Sequence, residues 1–289
     1  MRILRRLVLI PILLSLAVPA CGRDDDPAVV RIGVNDIALP HWEVLRAKAA
    51  ERGITVELVN FSDYNQPNPA LSQGRIDLNK FQHVRYLANY NVSNNDDLVP
   101  IAATEIFPLT LYSKKHDSVA DIPPGGEITL SNNPANQVRP LLGLAAAGLI
   151  VLKGGATWDS TLDDVDTAAS RVRVTTIDPT LTAQSLDSVD AAFVDDTFAG
   201  PAGLTRDQVI YTDDPERPEL KQYINIFAAR AVDADDPTLR TVAQLYHDPE
   251  VEAAIRAESS YDGIFKDNDP ADLRATLDAL EDEFRSSER

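Results

Sequence analysis

Two groups of side chains in this sequence are spaced for recognition rather than for reaction. Arg139 follows Asn136 by three residues, at the start of an apolar stretch that reads as a helix. A guanidinium there presents a planar fork that takes a carboxylate through two parallel hydrogen bonds, beside backbone N–H groups that a helix start leaves unpaired. Tyr64, Phe81, His83 and Tyr86 place four rings in a short stretch otherwise rich in turn-forming residues. They suit an apolar, polarisable wall for a ligand side chain. The polar tips of His83 and the two tyrosines need partners, which favours a rim or pocket over the core. Fork and wall together read as a clamp for an amino acid. Burying such a side chain contributes roughly 1.5–3 kcal/mol and each charge-assisted bond roughly 1.5–3 kcal/mol more, enough after the cost of association for micromolar binding.

Reaction chemistry finds no comparable constellation. The histidines are His41, His83, His116 and His247, and no two have the i, i+4 spacing of a helical zinc site. His41-Trp42-Glu43 spells H-x-E without the downstream P-C-x-x-C that a zinc deaminase needs, so His41 reads as a loop histidine leading into a helix. No Gly-x-Ser-x-Gly elbow or phosphate loop is present. The acidic runs Asp163-Asp164 with Asp166, Asp213-Asp214, and Asp233 with Asp235-Asp236 read as solvated loops rather than calcium cages. The expectation is binding without catalysis, with no cofactor and no metal.

The elements that would position the clamp follow an α/β grammar. Val29–Val34 is a β-branched strand, Trp42–Arg52 has helical spacing up to Gly53, and Ile54–Val59 is a second strand, the order that builds a parallel sheet. Strands follow near Leu98–Ala103 and Leu109–Ser113. The pattern then restarts with a strand at Glu127–Leu130, a helix at Asn136–Ala147 and a strand at Arg171–Ile177. A short helix at Leu181–Ser188 and a buried strand at Ala191–Val194 come next. Tyr223–Arg230 reads as a returning strand, with helices at Pro237–Leu245, Pro249–Glu258 and Pro270–Arg285. The expected fold is therefore two α/β lobes, residues 29–112 with 226–289 and residues 113–225, with ligand in the cleft beyond the strand ends.

Ahead of the lobes, Arg2, Arg5 and Arg6 precede an apolar run from Leu7 to Leu16 and the small-residue segment Val18-Pro19-Ala20, directly before Cys21. The run is too short for a stable membrane span and reads as an export signal over residues 1–20. Cys21 after that cut resembles a bacterial lipobox, in which the thiol takes the lipid, and residues 21–28 then form a short tether. Cys21 is the chain's single cysteine, so no disulfide framework is available to the exported domain. The formal charge is −18, and losing the three signal arginines takes it to about −21. A surface that acidic disfavours nucleic acid and anionic membrane as partners. Met1 is also the single methionine, in keeping with an alanine- and arginine-rich composition.

Three blocks carry a resemblance over most of the chain, from Arg31 to about Tyr261. They are Phe61-Ser62-Asp63-Tyr64-Asn65-Gln66-Pro67-Asn68-Pro69-Ala70-Leu71, the run Gly74 to Leu87 with Phe81-Gln82-His83 at its centre, and Ser131 to Leu141 with Asn136 and Arg139. In order and spacing they resemble the signature blocks of NlpA/MetQ-type methionine-binding lipoproteins, the solute-binding components of ABC importers. The resemblance implies a two-lobed periplasmic-binding-protein-like fold that binds L-methionine and delivers it to a membrane permease and its ATPase, from a lipid anchor on the extracytoplasmic face. Other solutes of that class are a methionine derivative, a dipeptide or another amino acid, and a surface interaction lipoprotein is the alternative outside it. The resemblance also assigns a ligand contact to Asn225, in Tyr223-Ile224-Asn225. Asp195 stands where the family usually has asparagine, and a carboxylate there would attract the ligand's ammonium while Arg139 takes its acid. Ser131 and Asn133 replace the third block's proline and aspartate.

Overall fold

The computed structural model describes residues 28–258 and 262–287; the expected signal and Cys21 lie outside them. The first sheet is built from β1 (Ala28–Val34), β2 (Ile54–Asn60), β3 (Leu78–His83) and β4 (Val99–Ala103), with a later strand inserted between β3 and β4. Its outer half is parallel: β1 pairs with β2 over its whole length and with β3 at Ile32 and Gly33. The helices α1 (His41–Ala50), α2 (Pro67–Ser72) and α3 (Val84–Asn94) make the connections.

A two-residue strand, β5 (Glu105–Ile106), follows, and β6 (Thr110–Tyr112) then opens the second sheet. That sheet continues with β7 (Glu127–Ser131), β8 (Arg173–Ile177), β9 (Ala191–Phe193) and β10 (Val209–Thr212), in the order β10-β6-β9-β7-β8. The strand expected near Leu109–Ser113 is therefore present but stands in the second sheet, one strand earlier than the sequence division at residue 112 puts the change of lobe. It is antiparallel to both its neighbours, which the sequence of a three-residue strand cannot declare. The helices here are α4 (Val138–Ala146), α5 (Thr182–Ser185) and α6 (Asp196–Ala199). The chain then returns through β11 (Asn225–Ala229), the strand inserted antiparallel between β3 and β4. The helices α7 (Pro237–Gln244) and α8 (Pro249–Arg256), the strand β12 (Ile264–Phe265) against β5, and α9 (Pro270–Ser287) complete the first lobe.

Each sheet has apolar clusters on its faces. In the first lobe, Trp42, Leu45, Phe227 and Tyr246 lie in one cluster, and Leu71, Leu87, Leu98 and Leu277 in another. In the second, Leu130, Leu141 and Leu144 gather in one cluster and Leu186, Ala192 and Val194 in the other. The strand β3 does not follow the apolar rule. Asn79 and Gln82 are buried and interlock with buried Asn68 of α2: Asn79 Nδ2 and Gln82 Nε2 donate to Asn68 Oδ1 at 2.9 and 2.6 Å, and Asn68 Nδ2 donates to Gln82 Oε1 at 2.8 Å. A buried amide is tolerated only when its donors and acceptors are met, and this triad meets them mutually while fixing α2 to the sheet. It explains why Phe81 and His83, expected in turn-rich sequence, sit at the end of a regular strand.

Candidate functional site

The clamp residues meet in one cavity of about 910 Å³ between the two sheets, whose wall includes Tyr64, Phe81, His83, Tyr86, Asn136, Arg139, Asp195 and Asn225. These residues come from both lobes. Phe81 and His83 end β3, Tyr86 is in the first turn of α3, and Tyr64 precedes α2. Asn136 closes a single 3-10 turn (Pro134–Asn136), so the helix expected from Asn136 begins at Val138 instead. Asn225 opens β11, opposite His83.

The rings form a cluster across the cleft. Tyr64 lies 5.8 Å from Phe81 and 6.3 Å from Tyr86 between ring centres, and 5.2 Å from Phe198 of the opposite lobe. Phe198 was not among the sequence candidates; nothing but its place in the helix after Asp195 could have nominated it. Tyr86 donates its hydroxyl to the Tyr64 carbonyl at 3.0 Å, which satisfies that tip.

His83 ties the lobes together. Its Nδ1 accepts the Tyr86 backbone N–H at 3.1 Å, capping α3, so its proton sits on Nε2 and is donated to Asn136 Oδ1 at 2.9 Å. Burial, with the Arg139 and Arg85 charges nearby, pushes its pKa down to about 3, so the ring stays neutral. The Asn136 amide, with its oxygen turned to His83, keeps its NH₂ for another acceptor.

Arg139 is buried, and its fork is already engaged. Nε and Nη2 donate to Asp213 Oδ2 and Oδ1, both at 2.7 Å, and Nη2 also donates to the Phe107 carbonyl at 3.1 Å. The guanidinium lies 5.0 Å from the Tyr223 ring centre. The carboxylate that the fork takes bidentately is thus the protein's own, and Nη1 is the nitrogen engaged by neither partner. Asp213 is correspondingly not the solvated loop residue that its acidic run suggests: its side chain is 9% exposed, and it also accepts the Leu109 N–H at 2.8 Å. Arg139 and Asp213 stand far apart in sequence, with no spacing to link them.

Asp195 faces the cavity half-buried at the N-cap of α6, and burial raises its carboxyl to about 6 against the pull of Arg139 and the Tyr64 hydroxyl. It carries charge near neutral pH and gains most from a cation beside it. Among the described residues no three histidine, aspartate or glutamate side chains are grouped to hold a metal. No helix among them is long and apolar enough to cross a membrane.

Two α/β lobes joined by crossing segments, with a cavity of mixed aromatic and charged wall between them, are the architecture of bilobal solute-binding proteins. The chain belongs to the NlpA lipoprotein family, whose pattern matches residues 30–267. It is 32% identical over 247 residues to a probable D-methionine-binding lipoprotein MetQ of Haemophilus influenzae, covering 82% of this chain and 89% of that protein. In structure it is similar to protein PG110 of Staphylococcus aureus, with a TM-score of 0.81 and 31% identity over 87% of this chain and 99% of that one. A nutrient-binding protein of Burkholderia cenocepacia, solved bound to methionine, matches with a TM-score of 0.75 and 31% identity over 82% of this chain and 99% of that one.

Proposed function

We propose that this protein is the extracytoplasmic solute-binding lipoprotein of an ABC importer, that its solute is methionine, and that it hands the solute to a membrane permease driven by an ATPase. What carries the reading is the meeting, in one cavity, of a buried guanidinium with a nitrogen left over and a wall of aromatic rings. A chain solved with methionine bound is similar over four-fifths of this one. In this reading Arg139 Nη1 and the Asn136 amide take the carboxylate, Asp195 takes the ammonium, and Asn225 lies beside the amino-acid end. The thioether packs against Tyr64, Phe81 and Tyr86 with His83 at the rim. The His83–Asn136 bond between lobes belongs to the closed form, and opening breaks it to admit solute. Cys21 carries the lipid that tethers the domain to the cell membrane, after loss of residues 1–20.

The test is calorimetric titration with L- and D-methionine of protein that has been unfolded, dialysed and refolded, which removes solute carried through purification. Arg139→Lys is the informative variant. A single ammonium can keep the ion pair with Asp213 but has no second nitrogen for a ligand, so the protein should stay folded and lose binding at least tenfold. Saturable one-to-one binding that survives Arg139→Lys intact would overturn the assignment of Arg139.

A further inference from the structure

An indole outside the cavity touches a ring that the cavity wall shares with Arg139. Between α4 and β8 the second lobe sends out a loop. Its stem is closed by the Leu152–Val165 bridge and by the Lys153 N–H, which donates to the Asp164 carbonyl at 2.7 Å. Gly154 and Gly155 turn it at φ of +80° and +95°, a conformation that side-chain-bearing residues rarely adopt. The Thr157 N–H donates to Ser160 Oγ at 3.0 Å and steadies the tip. From residue 153 to residue 159 every position is exposed except Trp158, which is half-buried. Its ring centre lies 6.2 Å from that of Tyr223. Tyr223 is part of the cavity wall and Trp158 is not.

Tyr223 ends the 3-10 segment Pro218–Tyr223, by which the chain crosses back into β11. The residues around it are fastened to the first lobe. Buried Arg85 of α3 donates through Nη1 to Gln222 Oε1 at 2.9 Å and to Glu283 Oε1 of α9 at 3.0 Å. The Val84 N–H donates to the Ile224 carbonyl at 3.2 Å, and the Thr104 N–H to the Asn225 carbonyl at 2.8 Å. The Tyr223 side chain is held differently. It is buried, and its hydroxyl, close to the Arg139 backbone, makes no hydrogen bond. The ring is therefore placed by what packs on it. His83 of the first lobe stands 4.8 Å away between ring centres, the Arg139 guanidinium of the second lobe stands at 5.0 Å, and Trp158 is also of the second lobe. Tyr223 thus has its backbone with one lobe and two of these three ring partners with the other.

We propose that Trp158 is a positioning residue for solute binding: it packs on Tyr223 when the lobes close, leaves that ring when they open, and so weights the balance between the two forms from outside the cavity. This rests on the reading that methionine is held at Arg139 between closed lobes. A contact made only in the closed form raises the population of that form, and apparent affinity scales with the population. The open form, which admits solute, lacks the contact, so losing it speeds release and leaves capture alone. The same movement makes the indole a reporter of closure. The chain has two tryptophans, and the other, Trp42, is fully buried in the core of the first lobe.

The test titrates L-methionine calorimetrically into the refolded protein and its Trp158→Ala and Trp158→Phe variants. Release is timed by rapid filtration of isotope-labelled methionine, and cooperative urea unfolding certifies that each variant is folded. A ring-on-ring contact of the closed form predicts affinity about three- to tenfold weaker in Trp158→Ala, with release faster by the same factor. Trp158→Phe keeps a ring and recovers most of that loss. In the unsubstituted protein methionine moves the tryptophan emission to shorter wavelength, as the indole leaves water, and Trp158→Phe abolishes the shift. That emission test decides the matter even where Trp158→Ala does not fold. Unchanged affinity in Trp158→Ala, a loss that lies in capture alone, a Phe variant no tighter than the Ala variant, or an emission shift that persists in Trp158→Phe overturns the role while leaving methionine binding in place. No binding of methionine by the folded, unsubstituted protein overturns the methionine reading itself, and this inference with it.

Discussion

Removing the Asp213 carboxyl tests whether the Arg139 fork is built as the geometry indicates. Asp213→Ala deletes two 2.7 Å charge-assisted bonds to Arg139 and the acceptor of the Leu109 N–H, and strands a guanidinium whose side chain is 9% exposed. Breaking one half of a buried ion pair costs about 3–5 kcal/mol. The Phe107 carbonyl and the Tyr223 ring remain to Arg139, and water in the cavity reaches it, so the lower end applies, about 3 kcal/mol. For a chain of this size that corresponds to a fall in Tm of about 5–6 °C. Arg139→Ala should cost a similar amount for the mirror-image reason. The double variant removes both charges and should cost about 2–3 kcal/mol less than the sum of the singles. Urea unfolding of the four solute-free proteins measures the cycle. Single costs that add to within about 0.5 kcal/mol would mean that the two groups do not act as a pair, and the derivation of a single free guanidinium nitrogen would fall with them.

Three further outcomes follow from the same geometry. Asp195 has a folded-state pKa of about 6, above its ordinary value, so the empty folded protein takes up a proton on acidification that the unfolded chain does not. Its stability relative to Asp195→Asn should therefore rise by about 1–2 kcal/mol from pH 7.5 to 5, and methionine affinity should fall over the same range as the proton competes with the ammonium; parallel unfolding and titration curves check both. His83, held near 3 by burial, should show no imidazole protonation in an NMR titration down to pH 5, and a resonance titrating near 6.5 would contradict its assigned bonds. Gly33→Ala would bring a Cβ within 2.5 Å of Ile76 Cδ1 and 2.8 Å of Phe61 Cε2, an overpacking expected to cost about 1–3 kcal/mol in denaturant unfolding, whereas an unchanged midpoint would show that the sheet yields there freely.

Much of the fold was legible because strands such as β1 and β2 are β-branched runs bounded by turn residues, and the eight clamp candidates do line one cavity. What stayed hidden has a common physical cause: partners supplied by distant chain. The strand β3 hides because its buried positions hold Asn79 and Gln82, whose polarity is met by Asn68 rather than by an apolar pattern. Asp213 looks like half of a solvated Asp213-Asp214 pair until the fold delivers it to Arg139. The change of lobe ahead of β6 is hidden because three residues cannot show on which sheet a strand will pair. Phe198 and Tyr223 complete the aromatic surroundings from segments with no ring pattern of their own.

The two crossings between the sheets have a consequence for anyone redesigning what this protein captures. Phe107, Pro108 and Leu109 on the outward crossing, and Tyr223 and Asn225 on the return, are all cavity wall. Arg139 donates to the carbonyl of Phe107 while its partner Asp213 accepts the N–H of Leu109, so one ion pair straps the outward crossing at two points. In the proposed reading, the group that meets the solute's charge is thus bolted to one of the two crossings about which the lobes would swing. Pulling on it changes the stiffness of the joint as well as the grip. A sensor built by retuning Arg139 alone would alter its opening rate along with its selectivity. Retuning at Phe81, whose ring neighbours Tyr64 and Tyr86 belong to its own lobe, would change what is held with less effect on the swing.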